Sequence, residues 1–172
     1  MVILTPFSLR DVGALVEANR DEEMAKRFDF PPGPPANGEA RRAITRWQRS
    51  WRMRRLVAFA VRALGSADLI GGCELRVHEH EIANLSYFTI PDRRGQGLAT
   101  RAVKLLSDFG LDELQLKRLE IRAEVDNLAS QAVAERAGFT REGVLRSAGQ
   151  YRRGRRDLVL YSRLPDEQLG RT

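Results

Sequence analysis

The stretch Tyr87-Phe88-Thr89-Ile90-Pro91-Asp92-Arg93-Arg94-Gly95-Gln96-Gly97-Leu98-Ala99-Thr100 constrains the fold more than any other part of the chain. It reads as a strand ending at Pro91, a glycine-rich turn and a helix opening at Leu98. The first N–H groups of a helix have no intrahelical partner and sit at the positive end of its dipole. Glycines let an anion reach the backbone without a Cβ in the way. A pyrophosphate is therefore expected on the N–H groups from Arg94 to Thr100, with arginine charge beside it. The third glycine of the dinucleotide fingerprint is missing, and no Gly-Lys-Ser/Thr follows as in a P-loop. Taken alone, the turn is also compatible with a strand-to-helix connection that binds nothing.

The flanking pattern is that of one α/β domain spanning residues 1–172. Residues 2–4 form a short strand. Ser8 then caps a helix with Asp11 as its box partner and Leu9, Val12, Leu15 and Val16 as its apolar stripe. Phe30-Pro31-Pro32-Gly33-Pro34-Pro35 is a stiff loop. The helix over 37–53 places Ile44, Trp47 and Trp51 on one face, as core, and arginines on the other. Strands follow at 56–63 and 69–77, joined at Gly65-Ser66, and then at 81–90. Beyond the glycine turn come a helix at 98–111, a strand at 119–125, a helix at 128–137 closed by Gly138, and strands near Val144 and at 157–164. The order β-α-α-β-β-β-α-β-α-β-β predicts a mixed sheet with helices on both faces.

The formal charge is +6, from 29 Lys+Arg against 23 Asp+Glu. That balance suits a polyphosphate ligand, an acidic partner or nucleic acid. Cys73 is the single cysteine, so no intrachain disulfide forms, and its apolar setting reads as a buried thiol. No apolar run approaches ~20 residues, and the N-terminus lacks the pattern of a signal peptide, so a cytoplasmic protein that does not enter a membrane is expected. His78-Glu79-His80 sits at a turn with no further ligands in register, so no metal site is expected. Tyr151-Arg152-Arg153-Gly154-Arg155-Arg156 reads as a solvated basic hairpin tip, with nucleic acid disfavoured.

The glycine turn resembles the Gln/Arg-x-x-Gly-x-Gly/Ala signature of the GNAT (general N-acetyltransferase) superfamily, with Arg94, Gly97 and Ala99 in the defining places. Asn127-Leu128-Ala129-Ser130 followed by Ala137-Gly138-Phe139 resembles the Asn-x-x-Ser…Gly-Phe segment of the ribosomal-protein N-terminal acetyltransferase branch. The separation of the two elements fits, as does Ile70-Gly71-Gly72 before them. Spermidine acetyltransferases share the style of the loop.

The resemblance implies a mostly antiparallel GNAT-like sheet and transfer of an acetyl group from acetyl-CoA, used as co-substrate without a metal, to an amine. It implies that backbone groups of Phe88, Thr89 and Ile90 hold the pantetheine arm. Arg94, Gly95, Gln96, Gly97, Leu98, Ala99 and Thr100 would hold the pyrophosphate, and Asn127 the pantetheine side. Ser130 would lie at the sulfur and protonate it. Many relatives carry a tyrosine where this chain has Ala134, and a glutamate where it has Asn84, so Ser130 and Glu74 become the candidates for acid and base. A protein or peptide N-terminus is the first acceptor to test. A polyamine, an aminoglycoside or a non-catalytic acyl-CoA-binding role are the alternatives, and a homodimer is compatible with all of them.

Overall fold

The computed structural model describes residues 1–28, 36–53, 55–152 and 154–167. The expected loop of residues 30–35, and Arg153 of the basic turn, lie outside them. One seven-stranded sheet runs in the order β1-β2-β3-β4-β5-β7-β6. Its strands are β1 (Val2–Pro6), β2 (Leu56–Ala63), β3 (Leu69–Val77), β4 (Ile82–Thr89), β5 (Arg118–Glu124), β6 (Thr140–Tyr151) and β7 (Gly154–Arg163). Every neighbouring pair is antiparallel except β4 with β5. The helices are α1 (Val12–Ala18), α2 (Glu22–Arg27), α3 (Asn37–Arg52), α4 (Leu98–Asp108) and α5 (Leu128–Arg136). The expected mixed sheet with helices on both faces is what forms.

β2 shows why. Val57, Phe59 and Val61 enter one core with Leu75 of β3, Val103 and Leu106 of α4 and Ala134 of α5. Ala58 and Ala60 enter a second core with Leu15 and Val16 of α1 and Ile44 of α3. A strand covered on both faces is apolar throughout, whereas one covered on a single face alternates. The two tryptophans of α3 serve different cores: Trp47 lies 4.6 Å from the Phe7 ring and Trp51 4.7 Å from that of Phe59. Cys73 is buried, and burial pushes its thiol pKa up.

Three elements differ from the sequence reading. Ser8 opens a 3-10 turn, Leu9–Asp11, before α1 begins, and its N–H donates to Asp11 Oδ2 at 2.8 Å. The other oxygen of Asp11 takes the buried Arg62 guanidinium at 2.6 Å, a tertiary contact with no sequence signal. α2 is an additional helix, capped by Asp21, which accepts from Met24 N–H at 2.9 Å. Only Met24 of α2 is buried, so no apolar stripe announces it. β6 is far longer than its apolar residues suggest: it is an edge strand whose side chains are mostly exposed, with two register shifts against β7. Among the described residues no helix is long and apolar enough to cross a membrane.

Candidate functional site

β4 and β5 pair only at Ile82 with Arg118, Ala83 with Leu119 and Asn84 with Glu120. Beyond that point, among the described residues, the two strands part: β4 continues to Thr89 along β3, and β5 to Glu124 along β7. The result is a gap in the middle of the sheet. Backbone groups alternate between the two edges of a strand. Ile90 N–H donates to Ile70 O at 3.1 Å, so the polar groups of Ile90 and Phe88 point to β3. Those of Thr89 and Tyr87 point into the gap. Of the three residues expected to hold a pantetheine arm through their backbone, Thr89 alone is turned that way, and Tyr87 joins it. Backbone groups left open inside a fold require a partner, and an extended ligand carrying amides supplies one as a short extra strand. Gly71 and Gly72 let β4 and its side chains lie close to β3. A Cβ on Gly71 would stand 2.3 Å from Phe88 O, and one on Gly72 2.5 Å from Phe88 Cε1.

The gap leads through a 3-10 turn, Pro91–Arg93, to the N-terminus of α4. Gly95 and Gly97 have φ of +75° and +68°, values that disfavour any other residue there. The first intrahelical bond is Arg101 N–H to Gly97 O at 3.2 Å, so the N–H groups of Leu98, Ala99 and Thr100 remain open to an anion. The loop is braced by Arg101, which donates to Gln96 O at 2.8 Å, and by Gln96, which donates to Asp92 O at 3.3 Å. Arg94 is not aimed at this cradle. It bonds Asp21, the cap of α2, at 2.5 Å and Thr89 O at 3.2 Å. That hydrogen bond to Arg94 holds the Asp21 carboxyl below its ordinary pKa, against the opposing effect of burial.

Across the gap, Asn127 caps α5, its Oδ1 accepting from Ser130 N–H at 3.0 Å. The Asn-x-x-Ser spacing is therefore that of an N-cap, which fixes the side chain expected beside a pantetheine arm. Ser130 does not turn its hydroxyl back on its own helix. Its Oγ lies 2.8 Å from the Tyr87 hydroxyl, which also donates to Ser130 O at 3.1 Å. Burial pushes the Tyr87 hydroxyl up to about 12, with the Ser130 contact pulling the other way. Tyr87 was not singled out from the sequence. The signal available was the alternation of β4, which puts Tyr87 on the same face as Ala83 and Leu85, beneath the helices. Ala134, on the inner face of α5, is fully buried.

The opposite face of β3, β4 and β5 carries Glu74, Asn84, Glu120 and Arg122 in one layer, as the register shows. A cleft of about 1020 Å³ lies here, lined by Met53, Arg55, His78, Asn84, Glu120 and Arg122 among others. Asn84 and Glu120 are also the last pair before the strands part, so the cleft adjoins the gap. Glu120 is buried, which opposes its charge. Hydrogen bonds from Arg118 at 2.8 Å and Arg122 at 2.9 Å outweigh this and lower its pKa. Glu74 stands on this face opposite Ser86, outside the lining of the cleft, and pairs with Arg76 at 3.1 Å. His78 Nε2 meets Asn84 Nδ2 at 3.0 Å, and among the described residues no group of His, Cys, Asp and Glu is arranged to hold a metal. In the basic turn, Arg155 donates to Ser147 O at 3.0 Å. Arg156 pairs with buried Glu124 and lies over the Tyr151 ring, so these charges serve the fold.

The chain matches the Acetyltransferase (GNAT) domain over residues 1–140. It is 33% identical over 89 residues to the ribosomal-protein-serine acetyltransferase of Escherichia coli K12, covering 52% of this chain and 50% of that one. It is 35% identical over 79 residues to the spermidine N(1)-acetyltransferase of the same organism, covering 44% and 42%. The chain thus spans about half the length of the curated relatives it matches. Mycobacterium smegmatis RimJ, solved with CoA-disulfide, superposes with a TM-score of 0.87 at 23% identity, covering 98% of this chain and 84% of that one, a likeness of fold. A split parallel pair opening onto a glycine-turned helix N-terminus, with a family match over most of its length, means that this chain belongs to the GNAT acetyltransferase domain family.

Proposed function

We propose that the chain, as one catalytic domain in the cytoplasm, moves an acetyl group from acetyl-CoA to a primary amine, with a protein or peptide N-terminus as acceptor. The observation that carries this reading is the gap between β4 and β5. It joins an anion cradle at α4, the gap-facing backbone of Tyr87 and the N–H of Thr89, and the Ser130–Tyr87 hydroxyl pair. The co-substrate supplies an acyl group on a thioester. The N–H groups of Leu98, Ala99 and Thr100 bind its pyrophosphate. A gap-facing N–H of β4 stabilises the oxyanion as the neutral amine adds to the carbonyl. Ser130, its hydroxyl oriented by Tyr87, donates a hydrogen bond to the departing sulfur, which leaves as the thiolate and takes its proton from water.

Glu74 takes the amine proton in this scheme. Glu120 is nearer the gap, but its two arginines lower its pKa, and a less basic carboxylate is a weaker general base. The cleft is lined by Glu79 and Glu120 as well as by Arg55 and Arg122, so its charge does not rank the acceptors, and the choice of a peptide rests on the similarity to a ribosomal-protein-serine acetyltransferase. The test is a thiol-release screen with acetyl-CoA against short peptides with free N-termini, spermidine, an aminoglycoside and simple amines. Peptide-dependent release is expected. Turnover of spermidine with none of any peptide overturns the choice of acceptor, and CoA binding with no turnover of any amine overturns the enzyme.

A further inference from the structure

Elsewhere in the fold, Arg20, Arg27, Arg62, Arg76, Arg94, Arg118, Arg122, Arg156 and Arg163 lie in ion pairs with carboxylates. α3 is different. Arg41, Arg42, Arg46, Arg49 and Arg52 are all exposed on its outer side. Among the described residues their guanidinium groups have no hydrogen-bond or ion-pair partner. Glu39 is the only acid in the helix. Arg42 and Arg46 stand at i,i+4, and Arg46, Arg49 and Arg52 at successive i,i+3 spacings. Each such like-charge pair costs a helix a few tenths of a kcal/mol. An arginine-rich composition explains scattered unpaired arginines such as Arg10 and Arg93, but it does not explain five of them gathered on the outer side of a single helix.

The row also has a direction. Arg41, Arg42, Arg46 and Arg49, with Thr45 and Ser50 of the same helix, enclose an open space of about 350 Å³ between their side chains. At the other end, Met53, which caps α3, and Arg55 line the cleft that adjoins the gap. We propose that the arginine row of α3 is the docking surface for an acidic polypeptide segment of a protein acceptor whose N-terminus enters that cleft. The inference rests on the reading of the acceptor as a polypeptide and names its chemistry. Arginine forks match carboxylates in bidentate pairs. Single-stranded nucleic acid is the poorer fit, because such sites stack bases on aromatic rings. The tryptophans of α3 are turned inward onto Phe7 and Phe59. From Arg41 to Arg52 the row spans roughly 16 Å, at about 1.5 Å per residue. An extended chain covers that in about five residues, which sets the length of the acidic run.

Docking is read with peptides acetylated at the N-terminus, which cannot turn over, so the result is independent of the acceptor amine. One carries a glutamate run and the other a Ser-Gly run of equal length. Both are labelled for fluorescence polarisation and mixed with the full chain. The glutamate peptide binds the wild type in preference to the Ser-Gly peptide. The triple variant Arg42→Glu, Arg46→Glu, Arg49→Glu binds it about tenfold more weakly or worse, because several modest surface charge pairs act together. Acetyl-CoA affinity, measured by calorimetry, stays at the wild-type value and shows that the variant is folded. Equal binding of both peptides by the wild type, or glutamate-peptide binding that survives the charge reversal, overturns the proposal. So does a single-stranded oligouridylate that displaces the peptide and binds more tightly through the same arginines. The unblocked peptides are then offered as acceptors, and docking without turnover overturns the acceptor reading alone.

Discussion

At the scale of single residues, the distinctive feature is the hydroxyl pair of Tyr87 and Ser130. Ser130→Ala removes the hydroxyl assigned to the leaving sulfur and is expected to lower kcat about tenfold, in line with one neutral hydrogen bond of about 1 kcal/mol. Tyr87→Phe leaves the Ser130 hydroxyl in place but frees its rotamer. It should lower kcat by a similar factor with little change in acetyl-CoA affinity, and the double variant should cost no more than the worse single one, because the two act as a unit. Additive losses in steady-state kinetics would show that they act separately. Glu74→Gln is expected to cost about 10²-fold in kcat at neutral pH, the usual range for a general base. Wild-type turnover across the pH range would dismiss Glu74. Ser130 was legible in the sequence because its spacing from Asn127 is local and belongs to a helix cap. Its partner was not: the contact joins residues 43 apart and depends on how a strand and a helix come together.

At the scale of elements, the connection from β4 to α4 was legible because its chemistry is local: a proline, two glycines at positive φ, and a helix start. Gly97→Glu places a side chain and a negative charge on the cradle. CoA affinity in calorimetry should fall by well over tenfold, since one lost charge-assisted contact is worth about 1.5–3 kcal/mol. Unchanged affinity in a folded variant would remove the loop from the binding site. α2 was not legible, because six residues with one buried side chain leave no apolar period to read. It is held instead by charge, through Asp21 to Arg94 and through Lys26 and Arg27 to Asp126. The sequence pointed to Arg94 as phosphate-binding charge, and the fold gives that charge a carboxylate. Asp21→Asn therefore leaves Arg94 free to serve a phosphate. Tighter CoA binding, by severalfold and with a steeper salt dependence, is the expected result.

At the scale of the molecule, the two halves of the sheet are stabilised by different physics. The β1-β2-β3 half is covered on both faces, by α1 and α3 on one side and by α4 on the other. The β5-β7-β6 half has its cleft-side layer built from charge. Arg118 bonds Glu120 at 2.8 Å and Glu142 at 2.5 Å, Arg122 bonds Glu120 at 2.9 Å, and Ser162 donates to Glu142 at 2.6 Å. This network ties β5, β6 and β7 together, and among the described residues no helix is packed over it. Its dependence on pH has a definite sign. Hydrogen bonds from Arg118 and then Ser162 draw the Glu142 carboxyl down from 4.5 to about 2 in the folded protein. A carboxyl whose folded pKa is depressed adds stability that is complete above its unfolded value and disappears as pH falls to the folded one. Glu142→Gln should therefore lower the melting temperature at pH 7. The difference from wild type should stay constant down to about pH 5, shrink between about pH 4.5 and pH 2, and be smaller at high salt because the pair is partly exposed. Thermal melts followed by circular dichroism at several pH values measure this directly. A difference that persists undiminished at pH 2 would mean that Glu142 acts through packing, and that charge is not what holds the open half of the sheet.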